Sequence, residues 1–197
     1  MFKFLKKEFT EHGSIDPSTV KSFFNKTSNL MFSDDSAQEE QRALLELIPD
    51  TNSKSILDLG CGNGRYSSVL KNYHLYHGVD FSQAFIDECP EGETKIFECS
   101  DVVRFYKNST FDIFLLIGLI TYIEDNDIAI MLENIKKMMK KDSIIILRSV
   151  TLNEEGYKKQ YYDSSSFWNK IRFNKPRYQI IRRSKDYELN LFKDFSL

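Results

Sequence analysis

Cysteine is scarce in this 197-residue chain; its three occurrences, Cys61, Cys89 and Cys99, are odd in number and form no CxxC pair. That spacing argues against a disulfide framework or a zinc site, and a reducing cytoplasm is the expected home. Histidine is as sparse: His12, His74 and His77 are too scattered for a metal site, and the last two read as surface residues at the start of a strand. No apolar run reaches membrane-spanning length. The basic and aromatic start, Met1 to Phe9, lacks the uninterrupted apolar stretch of a secretory signal. Nor does one sign of charge dominate. With 27 basic against 29 acidic residues, intermixed, the formal net charge is −2, so no nucleic-acid partner is expected. What the chain does have is apolar content (41%) and aromatics (14%), enough for one buried core, and residues 1–197 read as a single domain.

Glycine is also rare, eight in all, yet three of the eight stand at every second position in Ile56-Leu57-Asp58-Leu59-Gly60-Cys61-Gly62-Asn63-Gly64-Arg65. An apolar run ends there in Asp58, and Tyr66, Val69 and Leu70 then fall on one helical face. The pattern predicts strand, tight turn, helix. Such a turn exposes bare backbone to a ligand and offers the unpaired N–H groups of a helix start. A dinucleotide fingerprint needs a third glycine where Arg65 stands; here the extra glycine comes one residue early, at Gly64. Asp58 at the mouth of the turn would repel a pyrophosphate and suit an ammonium group. Cys61 is a small filler within the turn.

Strands and helices alternate from residue 54: strands at Ser55–Leu59, Leu75–Asp80, Thr94–Glu98, Phe111–Ile117 and Ser143–Arg148, with helices near 65–72, 83–88, 101–107 and 124–140. Alternation with apolar central strands implies a parallel sheet covered on both faces, with its ligand site at the carboxyl ends of the strands. Upstream, Asp16-Pro17 starts one helix, and Ser33 to Ser36 starts another that carries Ala37, Gln41, Leu44, Leu45 and Ile48 on one face. Downstream of Thr151, Tyr178–Ile181 could pair with Tyr187–Leu191 as a hairpin; the alternative makes Ser184 the N-cap of a helix through Phe192. Asp80 ends the second strand, 22 residues after Asp58, where a carboxylate can accept both hydroxyls of a ribose.

Strand–Asp58-x-Gly60-x-Gly62-x-Gly64–helix, joined to Asp80, resembles motif I of the class I S-adenosylmethionine-dependent methyltransferases. The resemblance covers about residues 35–195. It implies an α/β fold: a doubly wound, mostly parallel sheet of the seven-stranded type with helices on both faces, an N-terminal helical lid, and final strands short or missing. Residues 1–50 would form the lid segment, 54–150 the cofactor-binding core, and 151–197 the substrate-side insertion and C-terminal elements. The implied cofactor is S-adenosylmethionine, leaving as S-adenosylhomocysteine, held by Asp58, Gly60, Cys61, Gly62, Gly64 and Asp80.

Further residues follow from the same resemblance. Asp101, flanked by Ser100 and Val102, would take the adenine amino group, although Asp101 would serve equally as a helix N-cap. Phe81 could pack on the adenine. Ile117 and Gly118 would give backbone to the methionine part. Tyr122 and Glu124 are the candidate catalytic groups after the fourth strand, with Tyr122 also near the acceptor. Phe24, in the lid, could line the substrate cavity or belong to the core; Arg148 could bind an acidic substrate group or pair in a salt bridge. The leading function is methyl transfer to an O or N atom of a small molecule such as a sugar derivative or secondary metabolite. The alternatives are an RNA or protein methyltransferase and a cofactor-binding regulatory protein without catalysis. Nothing in the sequence indicates an oligomeric state.

Overall fold

A computed structural model describes residues 34–48, 50–162 and 178–195. Of the expected lid segment, residues 1–33, with the helix begun by Asp16-Pro17 and Phe24, lie outside the described residues. Among those described, α1 (Asp34–Leu47) leads into β1 (Ser55–Leu59), α2 (Tyr66–Val69), β2 (Leu75–Asp80), α3 (Gln83–Ile86), β3 (Lys95–Cys99) and β4 (Phe111–Ile117). A 3-10 turn (Ile120–Tyr122) then precedes α4 (Asp125–Met138), β5 (Met139–Arg148), β6 (Tyr157–Tyr162), β7 (Tyr178–Arg183) and α5 (Lys185–Leu191).

The first five strands form one parallel sheet in the order β3-β2-β1-β4-β5. The order reverses between β1 and β4, and the crevice of such a sheet opens there, at the carboxyl ends of the strands. β4 reads as a continuous apolar run because it is covered on both faces: Ile113, Phe114, Leu115 and Leu116 are all 3% exposed or less. Alternate residues feed two cores. Leu57, Val79, Phe114 and Leu116 meet α4 and Phe192 on one side; Ile56, Tyr76, Ile113 and Leu115 meet Leu44, Ile48, Tyr66 and Leu70 on the other. Each such side chain contributes about 1.5–3 kcal/mol of burial. In α4, Ile128, Met131, Leu132 and Ile135 face inward as their spacing predicts, with Asp125 and Asp127 in its first turn and Lys136 and Lys137 in its last.

Several expectations need correction. No helix forms over 101–107: Asp101 ties down one turn by accepting from Val103 N (3.0 Å), and the backbone then leaves helical geometry. β5 starts four residues earlier than Ser143, directly where α4 ends, with Met139 paired to Phe111 ahead of a register shift. On α1, Leu44 and Ile48 are buried, but Leu45 is 46% exposed. Helix α2 stops early, as Leu70 turns to extended backbone. His77 is not on the surface. It sits mid-strand in β2, fully buried, with its ring edge-on to Phe105 and Phe111. Burial first, then Lys107, lowers its pKa, against a raising influence from Glu98.

Of the two forms open to the tail, the helix is the one present: Ser184 caps α5 by accepting from Tyr187 N. Tyr178–Arg183 is nevertheless a strand. It pairs antiparallel with β6, from Tyr157↔Arg183 to Tyr162↔Tyr178, in a hairpin separate from the main sheet. Two hydrogen bonds, Leu152 N to Arg183 O (2.9 Å) and Ser184 N to Gly156 O (2.8 Å), tie this unit to the chain leaving β5.

Candidate functional site

The glycine turn closes on β2 through its backbone: Gly60 N and Cys61 N both donate to Val79 O, at 2.7 and 3.1 Å. Gly60, Gly62 and Gly64 all have positive φ (+78°, +55° and +71°), which explains why glycine recurs there. They differ in what surrounds them. A Cβ on Gly64 would come within 2.6 Å of the Phe97 ring, so that glycine serves packing. A Cβ on Gly62 would meet nothing within 4 Å, so its face is the open one from which a ligand can reach backbone.

Asp80 faces that turn. Its Oδ2 accepts from Gly62 N (3.0 Å) and its Oδ1 from Ser82 N (2.9 Å). Although it ends a strand, Asp80 is buried, at 5% exposure. Burial raises its pKa, and the backbone N–H donors of Ser82, Gly62 and Phe81 oppose the rise. Asp58 lies deeper, at 1% exposure, and accepts a hydrogen bond from the Tyr76 hydroxyl. Burial pushes its pKa up to about 7, with Asp80 adding to the rise and Tyr76 and Arg65 opposing it. The Cys61 thiol is buried and shifted upward by its hydrogen bond with Cys89 and by burial, so it is a poor nucleophile. Cys61, Cys89 and Cys99 are all free thiols.

The structure brings the rest of the predicted set to the same end of the sheet in varying degree. Ser100 N donates to Asp80 O (2.9 Å), Val102 is buried and Phe81 is half-buried. Asp101 is exposed, and its carboxylate already accepts from Val103 N and Arg104 (2.7 Å). Ile117 ends β4 opposite Arg148, and Gly118, at φ +71°, donates to Arg148 O (2.8 Å). Tyr122 ends the 3-10 turn, half-buried. Glu124 accepts from Lys159 and from Gln179 Nε2 (2.7 Å) on the β6–β7 hairpin.

Sequence reasoning missed the bridge from α1. Glu40, with a side chain only 11% exposed, pairs with Arg65 at 2.6 Å and lies 3.2 Å from Arg148 Nε. It thus links the start of α2 to the end of β5 across the crevice. Arg148 has the salt-bridge partner that one reading required, and its side chain remains 52% exposed. No spacing signal marks Glu40, because its partners are distant in sequence. Strand parity could have found Gln179 and Arg183, which share the buried face of Ile181.

A doubly wound parallel sheet with an open glycine turn facing a buried acid defines a Rossmann-like domain for a nucleoside-bearing cofactor. The family model described as a methyltransferase domain matches residues 56–142. A phosphoethanolamine N-methyltransferase of Zea mays is 27% identical over 151 residues, 72% of this chain and 28% of that protein; the chain spans less than a third of such curated relatives. Among solved structures, the complex titled DhpI-SAH superposes with a TM-score of 0.68 at 13% identity, covering 90% of this chain and 85% of that one. Coclaurine N-methyltransferase, bound to N-methylheliamine and SAH, gives 0.62 at 17%, covering 94% and 59%. Residues 56–142 thus match a methyltransferase domain, and the fold is the Rossmann-like fold of the S-adenosylmethionine-dependent methyltransferases.

Proposed function

We propose that this chain transfers the methyl group of S-adenosylmethionine to a nitrogen or oxygen of a small molecule. The observation that carries the reading is the pairing of the open Gly62 backbone with the buried Asp80 carboxylate, inside a domain that matches the methyltransferase family. These residues fit the cofactor. Asp80 accepts from the ribose hydroxyls, Asp58 faces the methionine ammonium, and Gly60 to Gly64 let backbone approach. Ser100, Asp101, Val102 and Phe81 border the adenine, while Ile117 and Gly118 lie along the methionine part. The bound cofactor supplies an activated methyl on a sulfonium leaving group. What the chain must add is alignment of the acceptor, and positioning can supply roughly 7–11 kcal/mol.

An amine acceptor fits this site better than a hydroxyl. A hydroxyl gains about 10²–10⁴-fold from a general base, and Glu124 is already engaged by Lys159 and Gln179. A neutral amine needs no such base. Tyr122 then orients the acceptor, and Arg148 is placed to meet an acidic group upon exchanging its contact with Glu40. The named relatives act on phosphoethanolamine and coclaurine, both amines, which supports the reading.

The test is incubation with methyl-labelled S-adenosylmethionine and separate acceptors: phosphoethanolamine, a benzylisoquinoline amine, a free sugar, bulk tRNA and a protein mixture. Label should pass to a small amine with release of S-adenosylhomocysteine. Transfer confined to tRNA or protein would overturn the small-molecule assignment.

A further inference from the structure

The segment after β4 carries Tyr122 and borders the place where the acceptor must meet the methyl group, yet what fixes it lies far along the chain. Arg183, at the end of β7, is fully buried. Its Nη1 donates to Ile120 O (2.9 Å), its Nη2 to Ile123 O (2.7 Å), and its Nε and Nη2 to Asp125 Oδ1 (2.9 and 2.6 Å). Four hydrogen bonds from one guanidinium thus hold three residues of the run 120–125. Asp125 is held a second time, by the Tyr187 hydroxyl on α5 (2.6 Å). Beside it, Lys159 and Gln179 of the hairpin hold Glu124.

A buried guanidinium is tolerated only when its donors are satisfied, and an apolar side chain would fill the same volume without desolvating a charge. What the planar fork adds is direction: it sets two carbonyls and a carboxylate in one fixed arrangement, which neither an apolar residue nor lysine reproduces. Packing alone does not require this arrangement. Control of the backbone on both sides of Tyr122 does.

We propose that Arg183 is a positioning residue for methyl transfer, acting through the Ile120–Asp125 segment to hold Tyr122 and its backbone against the methyl group of the bound cofactor. This rests on the methyltransferase reading above. The hairpin and α5 are then a brace for the acceptor side, with the ribose and adenine contacts on β1 to β3 independent of it.

The experiment follows the methyl resonance of S-adenosylmethionine, labelled with ¹³C at the S-methyl carbon, bound to the full chain. It is paired with hydrogen exchange of amides 119–125 in the free protein and calorimetry with S-adenosylhomocysteine. Arg183→Met should move or broaden the bound methyl signal and speed exchange at 119–125 at least tenfold, while S-adenosylhomocysteine affinity stays within about threefold. Arg183→Lys should restore part of the wild-type signal. Should Arg183→Met not fold, Asp125→Asn carries the test and should shift the same resonance. A folded variant whose methyl signal matches the wild type overturns the inference alone. So does a loss of S-adenosylhomocysteine affinity as large as the acceptor-side change. A wild-type chain showing no bound methyl signal overturns the methyltransferase reading itself.

Discussion

Replacing Asp80 with alanine should weaken S-adenosylhomocysteine binding by about 1–3 kcal/mol, roughly 5- to 150-fold. The proposed ribose contact accounts for part of this. The rest comes from the turn, because Asp80 accepts from Gly62 N and Ser82 N even without a ligand. Removing the carboxylate takes away the acceptor that both N–H groups share at a site 5% exposed, so the substitution should also lower the unfolding midpoint. Asp80→Asn keeps one acceptor but points an N–H₂ at one of the two backbone donors, and should fall between wild type and alanine. Calorimetry and thermal melts check both. Unchanged affinity in Asp80→Ala would place the ribose contact elsewhere.

Cofactor affinity should also rise with pH across a window ending near 7. Asp58 has an ordinary value of 3.8 and is pushed to about 7 in the folded chain. Its folded pKa lies above its unfolded one, so its contribution to stability is fully present below 3.8. That contribution is lost as pH rises through the folded value, at up to about 1.4 kcal/mol per pH unit. A ligand ammonium beside Asp58 favours the ionised form and lowers the pKa in the complex. Binding below pH 7 therefore releases a proton, and affinity climbs by at most tenfold per unit until Asp58 is ionised in the free protein. Asp80, also raised by burial, acts in the same direction. Titrations from pH 5.5 to 8 in wild type and Asp58→Asn separate the two, since the variant keeps only the Asp80 part. A flat wild-type profile would contradict the ammonium contact.

Much of the fold was legible because local pattern and tertiary demand agree. The strands at Ser55–Leu59, Leu75–Asp80 and Phe111–Ile117 are framed by turns and glycines, and their bounds match. The glycine turn was readable for the same reason: positive φ at three alternate positions leaves a mark that only glycine makes. His77 was misread because a histidine suggests surface, although a parallel strand covered on both faces must bury consecutive residues. The parallel-sheet expectation already contained that correction. Over 101–107 the pattern gave a helix where Asp101 closes only a single turn. The partner of Tyr178–Arg183 was hidden for another reason. Strand pairing is non-local, and nothing in Tyr157–Tyr162 announces which segment it joins. The ion pairs of Glu40 and Arg183 share that difficulty, because their partners lie 25 or more residues away.

The most direct measurement is calorimetric titration of the full chain with S-adenosylmethionine, S-adenosylhomocysteine and NAD⁺ at pH 7.5. The early glycine at 64, Arg65 in the dinucleotide slot and the buried Asp58 carboxylate beneath the turn all disfavour a pyrophosphate. The expected result is saturable one-site binding of both sulfur nucleosides and no measurable heat with NAD⁺. Binding of NAD⁺ with neither sulfur nucleoside bound would contradict the account at its centre.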